Sequence, residues 1–276
     1  MDIVTPVGFV LAVAAVILSD IMDGGTVRSL INPAAILLVL GGTLGATAMS
    51  SRMSDLKALV RSVMRAMRPP KVDRAQVIRE LVRYADVARR EGLLKLDALL
   101  PEIKDDFMRR GLMMAVDGTD ETLVREVMES EMSTLETVAL DSARFFETAG
   151  GFAPTLGIIG TVIGLVSVLS NIQNAAKLAP SIATAFIATL WGVSSANLFW
   201  LPIGNKLKVI AGQETSVREI ILEGVLAIEA GDNPRVVQDK LRAFLTPDEV
   251  KALEKAAAAE AEGGPAPAEA REEAAT

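Results

Sequence analysis

Hydroxyl and amide side chains are concentrated in two charge-free stretches of the sequence, residues 148–176 and 178–205. They include Thr155, Thr161 and Ser167 in the first stretch and Thr184, Thr189, Ser194, Ser195 and Asn197 in the second. Oxygen atoms of this kind can replace the hydration shell of a cation that enters an apolar environment. A hydroxyl in a membrane helix can equally donate to the carbonyl one turn back or to a neighbouring helix. The clustering favours an ion conduit, and plain packing stays open for each residue.

The chemistry that is missing is as informative. An ion-driven machine ordinarily carries an Asp or Glu inside the membrane, yet residues 29–51, 148–176 and 178–205 contain neither. If this protein handles ions, the carboxylate has to come from a different chain that packs against these stretches. The sequence also lacks Cys and His, which excludes disulfides, thiolate metal sites and imidazole-dependent catalysis. We therefore expect no enzyme, no catalytic residues, no resident metal and no cofactor.

Four apolar stretches could hold these side chains in a membrane. The chain has 276 residues, 50% hydrophobic and 23% charged, so the two kinds must be segregated along it. Charge-free windows cover residues 3–19, 29–51, 148–176 and 178–205. Because a spanning helix needs about 20 apolar residues and at least about 17, four transmembrane helices are predicted. A cleavable signal peptide is the alternative for the first window, but no Lys or Arg precedes it, so we expect a permanent helix.

Basic residues predict the orientation. Of 28 Lys and Arg, 17 lie between Arg52 and Arg144, nine lie from Lys206 onward, and only Arg28 and Lys177 lie elsewhere. The positive-inside rule places both termini and the long middle segment in the cytoplasm. The turns at residues 20–30 and 172–180 are then outside.

Net charge and its distribution limit the partners. A net charge of −7 argues against non-specific nucleic-acid binding. One basic run follows the second window and could contact anionic membrane lipid, or serve only as a positive-inside signal. It consists of Arg52, Lys57, Arg61, Arg65, Arg68 and Lys71.

The segments outside the membrane windows read as helices. Residues 73–90 have one apolar stripe at helical spacing. A long helix is predicted from an N-cap at Thr119 straight into the third membrane window. Another helix runs to about Ala230 and breaks at residues 231–234, and Thr246 begins a further helix with Pro247 at its first position.

The fold class is therefore all-α, a four-helix transmembrane protein with a large helical cytoplasmic domain. The predicted segments are a hairpin at 1–50, a cytoplasmic domain at 51–147, two membrane helices at 148–205, cytoplasmic helices at 206–255, and a disordered Ala, Glu and Pro tail at 256–276.

Glycines and prolines mark places where membrane helices can pack closely or bend. Close backbone approach is predicted at Gly157, Gly160 and Gly164, and likewise at Gly41 and Gly45 of the second window. Pro154 and Pro202 each remove a backbone N–H and are expected to bend their helices. Whether these bends are static kinks or hinges stays open.

Three motifs resemble a known family. "ARREGLLKLDALL" at 88–100, "APTLGIIGTVIGLVSVLSN" at 153–171 and "AFIATLWGVSSANLFWLPIGNKL" at 185–207 are similar to the MotA/PomA stator subunit of the bacterial flagellar motor. The resemblance covers roughly residues 1–250. It implies a homopentameric ring in the inner membrane around a MotB/PomB-type partner, whose membrane helix supplies the ion-binding Asp. Ion flow would turn this ring and push the rotor switch protein FliG.

The resemblance also assigns roles to residues. Arg89 and Asp97, with Arg90 beside them, match the charged residues that face the rotor, although the family more often has Glu where Asp97 stands. Pro154 and Pro202 match two prolines implicated in coupling. Thr161 and Thr189 match ion-pathway positions, and Thr after "GIIG" is similar to sodium-driven members, whereas proton-driven ones tend to have Ala. Sodium is therefore favoured over protons. Without the motif, the charged residues would be a solvated helix face.

Three alternatives remain. An ExbB/TolQ-like subunit, which energises envelope transport, resembles a three-helix chain without the first hairpin and the Arg89 to Asp97 motif. A passive membrane scaffold would use the hydroxyls and glycines only for packing. A self-sufficient transporter would be expected to carry its own intramembrane ionisable residue.

Overall fold

The all-α prediction is confirmed. The computed structural model describes residues 3–170, 173 and 175–261, and this part of the chain contains helices and no strand. We number the helices α1 Val4–Met22, α2 Val27–Leu30, α3 Pro33–Met49, α4 Met53–Met67, α5 Arg74–Glu91, α6 Asp106–Val116, α7 Glu121–Ser170, α8 Ala175–Ser195, α9 Leu201–Glu229, α10 Pro234–Arg242 and α11 Pro247–Ala261. Short 3-10 helical turns cover Leu93–Ala98 and Leu100–Glu102.

Three described helices are long and apolar enough to cross a membrane, namely Val4–Met22, Glu121–Ser170 and Leu178–Glu229. The third is α8 and α9, joined through a π-helical turn at Ala196–Trp200. The second predicted window gives the shorter apolar helix Pro33–Met49. This helix begins late because Asn32 caps it and Pro33 occupies its first position, where the missing N–H costs nothing.

The chain divides into two compact units. The membrane unit comprises Met1–Pro69 and Val138–Ile210, and the polar unit comprises Pro70–Thr137 and Ala211–Thr276. The membrane unit has an aromatic core in which the rings of Phe146 and Trp200 lie 6.1 Å apart, with Phe145 and Phe199 edge-on to them. The buried face of α4 contributes Ala66 to this cluster.

The polar unit is built around an aliphatic core. Fully buried side chains from α5, α6, α7, α9 and α10 fill it, and the largest include Ile78, Leu112, Met128, Ile220 and Leu241. The predicted apolar stripe of residues 73–90 faces this core, as its spacing of three and four residues requires. The polar faces of the same helices carry the charged residues described below.

Most helix ends follow the predicted signals. Gly231 has φ +75° and Asn233 caps α10, which confirms the break at residues 231–234. Thr246 and Glu249 form a reciprocal cap at the start of α11, the capping box in which a Ser or Thr pairs with a Glu three residues later. The long helix α7 does run unbroken into the third membrane window.

Two boundaries differ from the predictions. The cap of α7 is Asp120, whose Oδ1 accepts from the Thr122 backbone N–H at 3.0 Å, and Thr119 lies outside the helix. Either side chain is a good cap, so sequence alone could not separate these neighbours. The second difference concerns the end of α11. This helix reaches Ala261, past residue 256, where the disordered tail was predicted to start. Alanine and glutamate favour helix, whereas residues 262–276 lie outside the described part.

Candidate ion-pathway site and charged surface

Thr161 and Thr189 meet in the membrane unit, although they are 28 residues apart. Their Oγ1 atoms are in hydrogen-bond contact, and both also point at backbone oxygens. Thr161 Oγ1 lies 3.2 Å from the Gly157 oxygen and 3.4 Å from the Ala185 oxygen. Thr189 Oγ1 lies 3.3 Å from the same Gly157 oxygen. We call these four oxygen atoms the oxygen cluster.

Glycine makes this meeting possible. A Cβ atom added to Gly192 would lie 2.7 Å from the Ala153 oxygen and 2.9 Å from the Gly157 Cα. A Cβ atom on Gly157 would lie 3.0 Å from the Ala188 oxygen and 3.1 Å from the Thr189 Cα. Backbone therefore packs on backbone between α7 and α8, as small residues allow in membrane helices.

The same close packing continues along α7. We call the four glycines in it, Gly157, Gly160, Gly164 and Gly192, the glycine seam. A Cβ atom on Gly160 would lie 2.5 Å from the Ala188 Cβ, and one on Gly164 would lie 2.5 Å from the Ala185 Cβ. Close approach at the three predicted glycines of α7 is thus confirmed.

The matching prediction for α3 is not met within the described part of this chain. A Cβ atom on Gly45 would meet nothing within 4 Å, and one on Gly41 would meet only Leu37 of its own helix. The glycine of α3 that contacts α7 is Gly42, where an added Cβ would lie 3.1 Å from Leu156 Cδ2. A π-helical turn at Leu37–Gly41 precedes it. The spacing of two glycines indicates that backbones can approach closely, but not which face of the helix meets a neighbour.

Several other hydroxyls and amides follow the packing alternative. Thr155 donates to the Phe152 oxygen at 2.7 Å, Ser195 to the Gly192 oxygen at 3.2 Å, and Asn197 to the Val193 oxygen at 2.9 Å. Each of these bonds stays within one helix, as hydroxyls and amides in helices commonly do. They do not join the oxygen cluster.

Two polar contacts that sequence reasoning missed hold the junction between α2 and α3 against α8. Asn32 Nδ2 donates to Thr184 Oγ1 at 3.0 Å while its Oδ1 caps α3. Trp191 Nε1 donates to the Leu30 oxygen at 2.8 Å. The Asn-Pro pair was a visible capping signal, but nothing in the sequence predicted its partner on α8.

The two prolines occupy different settings. Pro154 lies inside α7 and is partly buried. Pro202 is exposed and is the second residue of α9, directly after the π-helical turn at Ala196–Trp200. In that turn the Leu201 N–H bonds to the Ala196 oxygen, five residues back. A proline cannot donate to the carbonyl four residues back and its ring collides with it; a wider turn ahead of the proline is one way a helix accommodates both effects.

No acidic group accompanies the oxygen cluster. The membrane stretches 148–170 and 178–205 contain no Asp or Glu, and no group of three or more potential metal-ligating side chains occurs among the described residues. The cluster can therefore offer a cation neutral oxygen ligands but no compensating charge.

The predicted rotor-facing residues lie on the polar unit, separately from the oxygen cluster. Arg89, Arg90 and Asp97 are all exposed. Arg90 Nε pairs with Asp86 Oδ1 at 3.0 Å on the same helix, while Arg89 and Asp97 have no ion pair in the part of the chain that the structure describes. Exposure of this kind suits contact with another molecule and equally suits a solvated face.

Gly92 joins the helix that carries Arg89 and Arg90 to the turn that carries Asp97, and the sequence reasoning missed it. It ends α5 with φ +89° and ψ 157°, a combination that is essentially restricted to glycine. The chain then enters the 3-10 turn Leu93–Ala98 that carries Asp97. A Gly directly after a charged helix end was the available signal, since glycine commonly follows helix C-termini.

Helical spans, close packing of glycines between two of them and hydroxyls in contact within that packing are typical of an integral membrane protein. Comparison with known proteins agrees. The model of the MotA/TolQ/ExbB proton channel family matches residues 100–220, and the model of the Motility protein A N-terminal region matches residues 6–92.

Individual relatives and solved structures match most of the chain. Motility protein A of Bacillus subtilis is 37% identical over 89% of this chain and 91% of its own length. Chemotaxis protein PomA of Vibrio alginolyticus is 32% identical over 89% of this chain and 96% of its own. The structure of MotAB from C. jejuni aligns with TM-score 0.85 and 31% identity, over 90% of this chain and 97% of that chain. The flagellar MotAB stator complex of Bacillus subtilis aligns with TM-score 0.80 and 36% identity, over 87% and 94%.

The chain therefore belongs to the MotA/TolQ/ExbB proton channel family, and within it to the Motility protein A relatives.

Proposed function

We propose that this chain is the ion-conducting stator subunit of a bacterial flagellar motor. Together with a MotB/PomB-type partner in the inner membrane, it would convert ion flow into rotation and torque. Relatives named for motility and for chemotaxis cover about nine-tenths of the chain, and solved MotAB structures align over a similar share. The observation that carries the ion-conducting role is the oxygen cluster of Thr161 and Thr189 between α7 and α8.

The partner is required by electrostatics. A cation in the apolar part of a membrane needs a charged or strongly coordinating group, and the oxygen cluster is neutral. A carboxylate from a neighbouring helix would supply the missing charge beside the hydroxyls. The family's partner subunit fits this requirement, since the related structures are MotAB complexes.

Sodium is the ion we favour. Na⁺ must replace several hydration oxygens, so hydroxyl and carbonyl ligands beside the carboxylate lower the cost of entry, whereas a proton needs the carboxylate alone. One elementary charge that crosses 100 mV releases about 2.3 kcal/mol. Many ions would therefore drive each rotor revolution.

The remaining assignments complete the proposal. Five copies would form a ring with both termini in the cytoplasm, and Arg89, Arg90 and Asp97 would contact FliG on the rotor. Pro154 and Pro202 would couple ion passage to movement. The basic run on α4 has exposed Lys57, Arg61 and Arg65 beside an exposed Val60, a pattern that suits anionic lipid at a membrane surface.

The ExbB/TolQ-like alternative is not favoured. Residues 6–92 match the N-terminal region of Motility protein A, a region that contains the first hairpin and Arg89 and Arg90. A deletion strain that swims normally but fails in envelope transport would reverse this preference.

The test replaces the hydroxyls of the oxygen cluster. In vesicles that contain the chain and its partner, Thr161→Ala and Thr189→Ala should each lower ²²Na⁺ uptake by about tenfold. Each substitution removes an oxygen ligand that a sodium ion needs once it has lost part of its hydration shell. Thr155→Ala is the matched control, since Thr155 is exposed on α7, the helix that also carries Thr161, and among the described residues its hydroxyl bonds only to the Phe152 oxygen. Uptake that is equal in all three variants contradicts the sodium pathway.

Two further measurements separate the parts of the proposal. Vesicles with the chain alone should take up no sodium, and uptake without the partner would contradict the borrowed carboxylate. In cells, swimming speed should follow external Na⁺ at constant pH. A speed that follows pH and ignores Na⁺ would overturn the ion assignment while leaving the stator role standing.

A further inference from the structure

An arginine-lined groove lies on the polar unit between α5, α10 and α11. It has a volume of about 380 Å³ and is open to solvent. Its polar lining is Arg79, Arg83, Asp86, Arg90 and Gln238. Four of these residues follow one another along one face of α5, because their spacing of four, three and four residues matches the helical repeat.

The positive charge of the groove is only partly compensated. Arg90 pairs with Asp86, and the guanidinium of Arg83 lies 5.2 Å from the ring centre of Tyr84. Arg79 has neither an ion pair nor a hydrogen bond of its side chain among the described residues. Three guanidinium groups thus face one carboxylate, which leaves a site for an acidic ligand.

We propose that the acidic C-terminal segment of the same chain, residues 262–276, docks in this groove. The segment contains Glu262, Glu269, Glu272 and Glu273 and a single basic residue, Arg271. Its charge is therefore opposite to that of the groove. Its alanines and prolines add little bulk, which suits a shallow, open surface.

The segment begins close enough to reach the arginines. Leu253 of α11 lines the groove, and α11 continues to Ala261, about 12 Å further at 1.5 Å per residue. From Ala261 to Glu269 an extended chain covers up to about 26 Å, so it can turn back to the groove.

The lengths also match. From Arg79 to Arg90 the helix rises about 16 Å, and from Glu269 to Glu273 an extended chain covers about 13 Å. The three carboxylates of this stretch can therefore lie along the arginine row.

Docking would cover Arg90. If Arg90 contacts the rotor, the segment competes with that contact and limits engagement of the ring. This consequence rests on the proposed function, whereas the contact between segment and groove does not.

Disulfide trapping tests the contact directly. The chain has no cysteine of its own, so Gln238→Cys and Ala270→Cys introduce the only two thiols. In the full chain purified from membranes, mild oxidation should join them within one chain, and mass spectrometry should find the linked peptides in a band of monomer mass. Linked peptides found only in a dimer band would overturn docking in the same chain.

Charge variants show whether the groove holds the segment. Arg79→Gln with Arg83→Gln should slow the cross-link by about fivefold, as expected when two exposed ion pairs are lost. Glu269→Gln with Glu272→Gln and Glu273→Gln should slow the cross-link by a similar factor. These substitutions change only the C-terminal segment and leave the groove as it is. Arg89→Gln is the control, because Arg89 lies on the same helix but does not line the groove.

An unchanged rate in both charge variants would refute the proposal and leave chance encounters or another acidic partner as the explanation. Because the cross-link is read without a motor, its result is independent of the ion-uptake and swimming tests.

Discussion

Replacing Gly192 by alanine is predicted to damage the glycine seam and the oxygen cluster together. In an ordinary helix, glycine to alanine stabilises by up to about 1 kcal/mol, so any loss must come from the neighbours. The new Cβ would lie 2.7 Å from the Ala153 oxygen and 2.9 Å from the Gly157 Cα, whereas ordinary contact begins at 3.4 Å. Both neighbours are backbone and cannot rotate away, so α7 and α8 must separate by about 0.7 Å here.

The size of the effect follows from this displacement. Overpacking of a tight interface typically costs about 1–3 kcal/mol. Thr189 lies one turn from Gly192, and its Oγ1 is 3.3 Å from the Gly157 oxygen. A separation of about 0.7 Å would stretch this distance beyond hydrogen-bond range. Stability and ion uptake should therefore fall in the same variant.

The assays are thermal unfolding of the purified complex in detergent and sodium uptake in vesicles. Gly8→Ala is the control, because Gly8 lies in the apolar helix α1 and an added Cβ there meets nothing within 4 Å. We expect the control to match or exceed the parent in both assays. If Gly192→Ala unfolds and conducts like Gly8→Ala, the close packing of α7 on α8 does not hold the oxygen cluster.

Three further predictions concern the polar unit. Gly92→Ala should destabilise it by about 1–3 kcal/mol, because alanine tolerates the observed backbone angles poorly; chemical denaturation measures this, with the helical Gly212→Ala as control. Burial, together with nearby Glu121 and Asp120, raises the pKa of Glu229. At a pH above the ordinary pKa of a carboxyl group, the charged form of Glu229 therefore destabilises the folded state. At a pH below it, Glu229 is neutral in both states and has no such effect. Glu229→Gln should then raise the unfolding temperature near neutral pH and not at about pH 4, and a gain that persists in acid would contradict the electrostatic cause. Thr246→Ala should cost about 1 kcal/mol by removing the cap of α11, which amide exchange at the start of that helix would report, and exchange equal to the parent would refute the role of the cap.

The helices were predictable because their causes are local. Charge-free length, apolar stripes and capping residues all act within a few positions of the chain, and these signals placed the break at Gly231 and the start at Thr246. The π-helical turns at Leu37–Gly41 and Ala196–Trp200 were not predicted. A single inserted residue changes the helical phase while leaving composition and hydropathy almost untouched.

The candidate site was predictable only in part. Thr161 and Thr189 were visible as hydroxyls in apolar stretches, but their mutual contact depends on how two helices pack, which the sequence showed only through small residues. Arg79, Arg83 and Arg90 were visible in the sequence at helical spacing. That they line a groove could be seen only from the structure, which places α10 and α11 beside them. Gly92 illustrates a third case, since a glycine after a helix end was a visible signal but its backbone angles became known only from the structure.

The glycine seam and the oxygen cluster depend on each other, because Gly157 belongs to both. Its lack of a side chain brings α8 close, and its carbonyl oxygen lies 3.2 Å and 3.3 Å from the two threonine hydroxyls. Each hydroxyl has one proton and two lone pairs. Thr189 can donate its proton to the Gly157 oxygen while Thr161 donates to Thr189 Oγ1. Thr161 then keeps both lone pairs free and Thr189 keeps one, so the packing that holds the helices together also leaves the oxygen lone pairs that the proposed cation pathway requires.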